Sequence, residues 1–475
     1  MTPPVQPVDD ERIILHIGTG SFHRAHQAWY LHRLRESGDS RDRAWSIAAG
    51  NIRSDMNTTH EALAAQGGAY TLETVSPDGA REYESIRSIQ RVLPWSPDHA
   101  SLIEYGSSRA CRIISFTVTE SGYYLDNHDR LDVSHPDVAA DLNGGCGTIY
   151  GVLAAILEAR RRTGGGPVTL QSCDNLRHNG EKLRTGFAEF LTRRSLHTLK
   201  QWVQTHTTTP SAMVDRITPR ATPDTCARVL AATGLDDRCP VMSESFAQWV
   251  IEDRFIADRP AWEKVGVELV DSVLPYEEAK IRVLNATHSC VAWAGTLVGL
   301  EYIHEGTRDA EIARFAHDYI TQDVIPSLLP SPIDLPRYRD VVLDRFSNPY
   351  IRDTNERVAA DGFTKLSGFV VPTLRDSFAR GEVPAASAML LALFLAFLTR
   401  WADGKLHIDY RDSLQDIAGI RAMLAAEDPV AAFCSDRRVW GGLASDSRLI
   451  GAVRDACGTV DRWLASRPET LRRVS

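Results

Sequence analysis

The chain has 475 residues, too many for one average domain, so two or three domains is the natural division. With 43% hydrophobic and 24% charged residues it can bury a core without help from disulfides or metals. The formal charge of −9 disfavours nucleic-acid and anionic-membrane partners, which select basic surfaces.

Met1–Asp10 lacks the basic and apolar regions of a signal peptide and reads as a loose tail. Arg12–Ile17 is a short apolar run of the kind found in buried parallel strands. Gly18-Thr19-Gly20 is a turn, and Phe22–Leu34 a helical pattern stopped by Gly38. Trp45–Gly50 is a second strand, which completes βαβ spacing. Further strands are expected at 112–118 and 168–172, with a helix over 148–162 between them. This alternation predicts a doubly wound, Rossmann-type α/β domain over residues 1–272. From Pro275-Tyr276-Glu277-Glu278, a helix start by its proline and acidic first turn, the pattern runs helical to about Gly306. Segments 309–324, 384–401, 413–425 and 447–466 also read as helices, so residues 273–475 form a mostly α-helical domain. The most apolar stretch, Ala385 to Leu398, is roughly 14 residues long, short for a bilayer and suited to a buried helix. The eight cysteines show no CxxC and no short Cys/His pairing. They read as reduced thiols of a cytoplasmic protein, and no metal site is expected.

Gly18-x-Gly20 stands where a dinucleotide-binding turn should, directly after the first strand and opening the first helix. The third glycine of the fingerprint is replaced by His23, so the motif is degenerate. After the second strand the chain reads Gly50-Asn51-Ile52-Arg53-Ser54-Asp55, with no carboxylate at the strand tip. Arg53 could meet a 2′-phosphate and Asp55 a 2′-hydroxyl, so NAD is expected and NADP stays possible. Around 280, Lys280, Asn285 and His288 fall within an arc of roughly 140° of an ideal helix that continues apolar to Leu300. Such polar residues at the head of an apolar helix are costly unless paired or functional. A solvated helix end explains the spacing equally well.

Beyond spacing, the runs 18–27 (Gly-Thr-Gly-Ser-Phe-His-Arg-Ala-His-Gln) and 280–289 (Lys-Ile-Arg-Val-Leu-Asn-Ala-Thr-His-Ser) resemble the mannitol dehydrogenase family of long-chain polyol dehydrogenases. Thr117–Tyr123, Ser172–Gly180, Met213–Pro219 and Arg345–Pro349 running to Arg357 and Lys365 agree in order and spacing. The alanine after Asn285 departs from the glycine that many members carry. The resemblance implies a metal-independent oxidation of a polyol to its ketose, with D-arabinitol to D-xylulose expected and a hexitol such as D-mannitol, or a keto-uronate, as alternatives. It also implies Lys280 as general base, which requires a lowered pKa, with Glu277 linked to proton access. Asn175 and Asn285 would donate to the developing alkoxide. His288, Val214, Asp215, Arg357 and Lys365 would line the polyol site, with Asp215 as a hydroxyl acceptor or a partner of Arg216. Gly18, Gly20, Ser21, Phe22, Arg53, Asp55, Thr119 and Glu120 would hold the cofactor, and His23, Arg24 and His26 would order the turn. A monomer is expected. The other readings are a zinc polyol dehydrogenase, which the cysteine pattern disfavours, and a non-catalytic nucleotide sensor, which the lysine set disfavours.

Overall fold

The computed structural model describes residues 11–37, 39–55, 57–126 and 129–467. The tail Met1–Asp10 and the stop at Gly38 lie outside the described residues. The chain divides into two compact units, 1–76 with 80–274, and 275–475 with 77–79.

Strands of the first unit are β1 (Arg12–Ile17), β2 (Trp45–Gly50), β3 (Tyr70–Val75), β4 (Arg81–Ile86), β5 (Ile89–Val92), β6 (Cys111–Phe116), β7 (Val168–Ser172), β8 (Thr207–Thr208), β9 (Ala212–Asp215), β10 (Val241–Glu244), β11 (Gln248–Glu252) and β12 (Glu268–Val270). Six of them form a parallel sheet in the order β5-β2-β1-β6-β7-β8. That is the doubly wound order, which reverses direction between β1 and β6. Successive residues of β1 serve opposite faces, as strand geometry requires. Ile13, Leu15 and Ile17 join one apolar cluster with Ile114, Phe116 and Val152. Ile14 joins another with Ile47, Ala49 and Ile113. Burial on both faces explains why these strands read as continuous apolar runs. Two small mixed sheets, β10-β3-β4 and β12-β11-β9, complete the unit.

The expected helix 148–162 is present as Ile149–Thr163, capped by Thr148, whose Oγ1 accepts from Gly151 N at 3.2 Å, and ended by left-handed Gly164. Within it Arg160 is fully buried. Its guanidinium donates to the carbonyls of Gly106, Ser108, Cys111, Gly166 and Pro167 at 2.7–3.0 Å, closing the loops that lead into β6 and β7. The expected helix 22–34 is instead two, Ser21–Ala25 and Gln27–Glu36. His26 breaks it at φ −122°, and its ring meets the Gln248 carbonyl at 2.9 Å.

In the second unit the central helix is Ala385–Ala402, longer than its apolar stretch, with Leu391, Phe394, Phe397 and Leu398 fully buried. It packs against Ser447–Ser466 and Ala286–Leu297. Three expected helices need correction. The one from Pro275 stops at Leu297, and Gly299 at φ +78° turns the chain before Ile303–Arg308. The one from 413 begins only at Ile417, because Asp416 caps Gly419 N while Ser413 N is taken by Asp361. The one from 309 is α-helical over Ala310–Asp318 and then a π turn over Tyr319–Val324. Among the described residues there are three π turns, at Lys280–Asn285, Tyr319–Val324 and Leu366–Val370, and the first packs on both others.

Candidate active site

At the switch point of the parallel sheet a cavity of about 540 Å³ opens outside the carboxyl ends of β1, β2 and β6. Crevices at this place are where doubly wound sheets take their ligands. Ile17–Gly20, Asn51–Arg53, Asp55, Thr117–Thr119, Ser121 and Tyr124 contribute to its walls. Gly18 sits at φ +109°, and a Cβ there would lie 2.4 Å from the Thr117 carbonyl oxygen. Only glycine fits, so the strand ends can close on one another. Gly20 has open space where a Cβ would be, which leaves its backbone approachable.

Beneath the turn His16 is fully buried, with Nδ1 2.8 Å from Ser115 Oγ and Nε2 3.0 Å from the Gly18 carbonyl. Burial pulls its pKa down to about 3, so it is a neutral structural ring at physiological pH. His23 stacks on it at 3.4 Å. Arg24 Nε donates to the Thr19 carbonyl at 3.3 Å, so these residues order the turn and the start of the helix.

Asn51 is a site residue that sequence reasoning passed over. Its Oδ1 accepts from Thr19 N at 2.9 Å and from Thr19 Oγ1 at 3.0 Å. A backbone N–H can only donate, so the oxygen must face Thr19 and the amide nitrogen must face the other way. Asn51 is 7% exposed and lines the cavity, and its Nδ2 has no hydrogen-bond partner within the protein. A buried donor without a partner is costly, and a polar ligand in the cavity would satisfy it. An asparagine at a strand tip reads as a turn residue, so only the bond to Thr19 reveals it.

Of the sequence-predicted cofactor residues, Gly18, Gly20, Arg53, Asp55 and Thr119 line this cavity. Ser21 and Phe22 open the following helix, where the Phe22 ring stacks on His26 at 5.0 Å, and Glu120 is exposed on a short 3-10 turn. None of these three is among the lining residues. Thr119 has φ +64°, a strained value for a β-branched residue. The buried Asp174 holds it there. Its carboxylate accepts from Thr119 N at 2.8 Å, Val118 N at 2.9 Å and the Tyr123 hydroxyl at 3.0 Å. Asn175 follows directly and is exposed in the loop after β7. Asn179 ties this loop to β9, donating to the Asp174 and Ala212 carbonyls at 3.0 and 2.7 Å. On β9, Val214 and Asp215 are buried. Arg216 donates to the carbonyls of Glu244 and Ala25 and lies over the Trp29 ring at 4.6 Å.

In the second unit Lys280 and Glu277 are buried, and Asn285 is half-buried. The π turn bonds each carbonyl to the fifth N–H onward, so residues five apart stack as residues four apart do in an α-helix. Lys280 and Asn285 therefore lie one above the other, more closely aligned than ideal helical spacing predicts. His288 continues from Asn285 in the α-helix, stacked on Phe346 at 4.6 Å, with Nε2 3.1 Å from Asp353 Oδ2. Burial lowers the pKa of His288 although Asp353 opposes this. Arg357 Nε donates to the same carboxylate at 2.8 Å, and Lys365 Nζ donates to the Val358 carbonyl at 2.6 Å. Desolvation, with help from the Arg357 charge, pulls Lys365 down to about 8. His288, Arg357 and Lys365 thus share one polar cluster around Asp353, a residue sequence reasoning missed because it lies 65 positions from His288 and carries no motif of its own. Among the described residues, no group of three or more His, Cys, Asp or Glu side chains is placed to hold a metal ion.

Fold and crevice together are those of a Rossmann-type oxidoreductase. A family model described as mannitol dehydrogenase Rossmann domain matches residues 12–264, and one described as mannitol dehydrogenase C-terminal domain matches 272–461. The chain therefore belongs to the mannitol dehydrogenase family and is a polyol dehydrogenase, acting on CH–OH. It is 63% identical to D-arabinitol 4-dehydrogenase of Ralstonia nicotianae over 455 residues, 96% of this chain and 98% of that one. It is 54% identical to the protein of that name from Klebsiella pneumoniae, covering 94% and 97%. The Pseudomonas fluorescens mannitol 2-dehydrogenase, solved as a ternary complex with NAD and D-mannitol, superposes with a TM-score of 0.80 at 33% identity, covering 98% and 94%.

Proposed function

We propose that the chain oxidises D-arabinitol to D-xylulose with NAD and without a metal, residues 1–272 holding the cofactor with some of the substrate groups and 273–475 supplying the general base and the remaining substrate groups. The identity of 63% over nearly the whole chain to a D-arabinitol 4-dehydrogenase carries this reading. The alternative of a hexitol enzyme draws on the 38% identity to a mannitol 2-dehydrogenase. One methylene-sized difference in a pocket is worth only ~1–3 kcal/mol, so overlapping activity on D-mannitol is expected.

NAD fits the cavity on two counts: the close approach at Gly18 and the inward Asn51 amide donor. Gly18, Gly20, Asn51, Asp55 and Thr119 would hold it, and when bound it supplies a hydride acceptor. The rest of the chemistry falls to the side chains. Lys280 takes the proton of the reacting hydroxyl, and Glu277 conveys protons to and from it. Asn175 and Asn285 donate hydrogen bonds to the oxygen as its charge develops. Val214 and Asp215 bound the polyol, with Asp215 accepting from a hydroxyl. His288, Arg357 and Lys365 bind further hydroxyls, held in place by Asp353. A monomeric, cytoplasmic enzyme without nucleic-acid or membrane partners accords with the net charge of −9.

The test is the initial rate of NAD and NADP reduction with D-arabinitol, D-mannitol, D-sorbitol and xylitol, with and without EDTA. Fastest turnover with D-arabinitol, unaffected by chelator, is expected. Preference for D-mannitol would overturn the substrate, and loss of activity in EDTA would overturn the metal-free mechanism. Lys280→Ala should lower kcat by about 10²–10⁴-fold, the usual contribution of a general base. A Lys280→Ala enzyme as fast as the parent removes Lys280 from the chemistry.

A further inference from the structure

One cluster on the cavity wall serves neither the glycine turn nor the polyol groups. Arg53, just beyond the end of β2, donates to the Tyr124 hydroxyl at 2.8 Å and to Asp137 Oδ2 at 2.8 Å. Tyr124 donates in turn to the same Asp137 oxygen at 2.9 Å, so the three groups close a ring of hydrogen bonds. The His135 ring meets Tyr124 edge-on at 4.7 Å and holds the phenol in place. All four residues line the cavity. Arg53 and Asp137 side chains are 60% and 42% exposed, and an ion pair so open contributes little to folding stability. Its position is more informative than its strength. The tip of the second strand is where a Rossmann domain reads the adenosine ribose, with a carboxylate for a 2′-hydroxyl or an arginine for a 2′-phosphate.

We propose that Asp137, assisted by Tyr124, is a specificity-determining residue that occupies Arg53 and so selects NAD over NADP. The inference rests on the cofactor reading above and sharpens it. A free guanidinium at this place would attract a 2′-phosphate through charge-assisted, bidentate hydrogen bonds. Here the guanidinium already faces a carboxylate, and the carboxylate itself repels a second anion. A 2′-hydroxyl is uncharged and meets no such repulsion. Arg53 by itself suggests NADP, whereas Arg53 with Asp137 suggests NAD.

The test is direct titration of NADH and NADPH by fluorescence on the full-length protein, alongside kcat/KM for NAD and NADP at fixed D-arabinitol. The parent should bind NADH more tightly. Asp137→Asn keeps the side-chain shape and removes the charge, and should shift the NADPH-to-NADH affinity ratio at least tenfold towards NADPH. Tyr124→Phe should shift it less, in the same direction. Adding Arg53→Gln to Asp137→Asn should return the ratio towards that of the parent, which a merely structural role for Asp137 would not produce. An unchanged ratio in Asp137→Asn, or a parent that prefers NADPH, overturns the proposal while leaving dinucleotide binding intact. A chain that binds neither dinucleotide overturns both this and the cofactor reading.

Discussion

Asp174 shows how one buried carboxylate can support a strained turn and still lower stability at neutral pH. Burial raises its pKa from 3.8 to about 6, against the opposing bonds from Val118 N, Thr119 N and Tyr123. A carboxyl whose folded pKa is raised contributes stability below its unfolded pKa and loses that contribution as pH rises through the folded one. Asn at this position can keep Oδ1 facing the two N–H groups and turn its amide to the Tyr123 oxygen. Asp174→Asn should therefore gain on the parent by roughly 2–3 kcal/mol between about pH 4 and pH 7.5, at ~1.4 kcal/mol per unit. Thermal midpoints of both proteins across that range check it, and a constant difference would remove Asp174 from the account. Lys365 gives a kinetic counterpart. With its pKa near 8, it is cationic below that pH and neutral above it. The KM for D-arabinitol should rise as pH passes through about 8. Lys365→Met should raise KM about tenfold at pH 7 and abolish this rise, while Lys365→Arg keeps the charge and displaces the inflection upward. Steady-state KM measured at intervals from pH 6 to 10 decides it.

Elements were legible where the period and the terminators agree. Helix 149–163 could be read because Thr148 caps it, Gly164 ends it and its apolar face is regular. β1 and β2 could be read because burial on both faces makes them mostly apolar. The pair β3 and β4 was missed despite a usable signal: Pro77-Asp78-Gly79 between two β-rich runs is a turn with a mechanism. The π turns left no such trace, since one widened turn changes the register without changing composition. Arg160 was equally silent, because a basic residue in the last turn of a helix reads as a solvated cation. Its five carbonyl partners make a strong claim on stability. Arg160→Met takes the guanidinium donors from all five carbonyls, the Gly106 and Cys111 contacts being buried, at a cost of about 3–5 kcal/mol. Arg160→Lys should recover only part of this, because an ammonium has three donors and cannot span the fork. Chemical denaturation of the three proteins measures it, and a loss under 1 kcal/mol in Arg160→Met would show that water replaces the guanidinium.

At the scale of the whole molecule the proposed roles are divided: the cavity at the glycine turn belongs to the first unit, and Lys280, the proposed base, belongs to the second with Asn285 and His288. A motif anchored by a backbone requirement was legible at Gly18, where no side chain fits. Contacts between distant positions were not, as with Asn51 and Thr19 or Asp353 and His288, because no local pattern specifies a partner far along the chain. The division predicts that binding and chemistry can be separated by substitution. A ligand that binds only the folded state at a hundred times its Kd stabilises by about 2.7 kcal/mol. For a unit of this size that corresponds to a rise of roughly 4–6 °C in thermal midpoint. NAD should give this rise in the parent and in Lys280→Ala alike. Asn51→Asp keeps an oxygen for Thr19 but replaces the inward donor with an acceptor and adds a negative charge facing the ligand. It should lose most of the rise, each rise being taken from that protein's own midpoint in the absence of NAD. Calorimetry of the three proteins with and without NAD reads the result directly. A full rise in Asn51→Asp would mean that the Asn51 amide does not meet the cofactor, and a rise lost in Lys280→Ala would mean that the two functions are not separable.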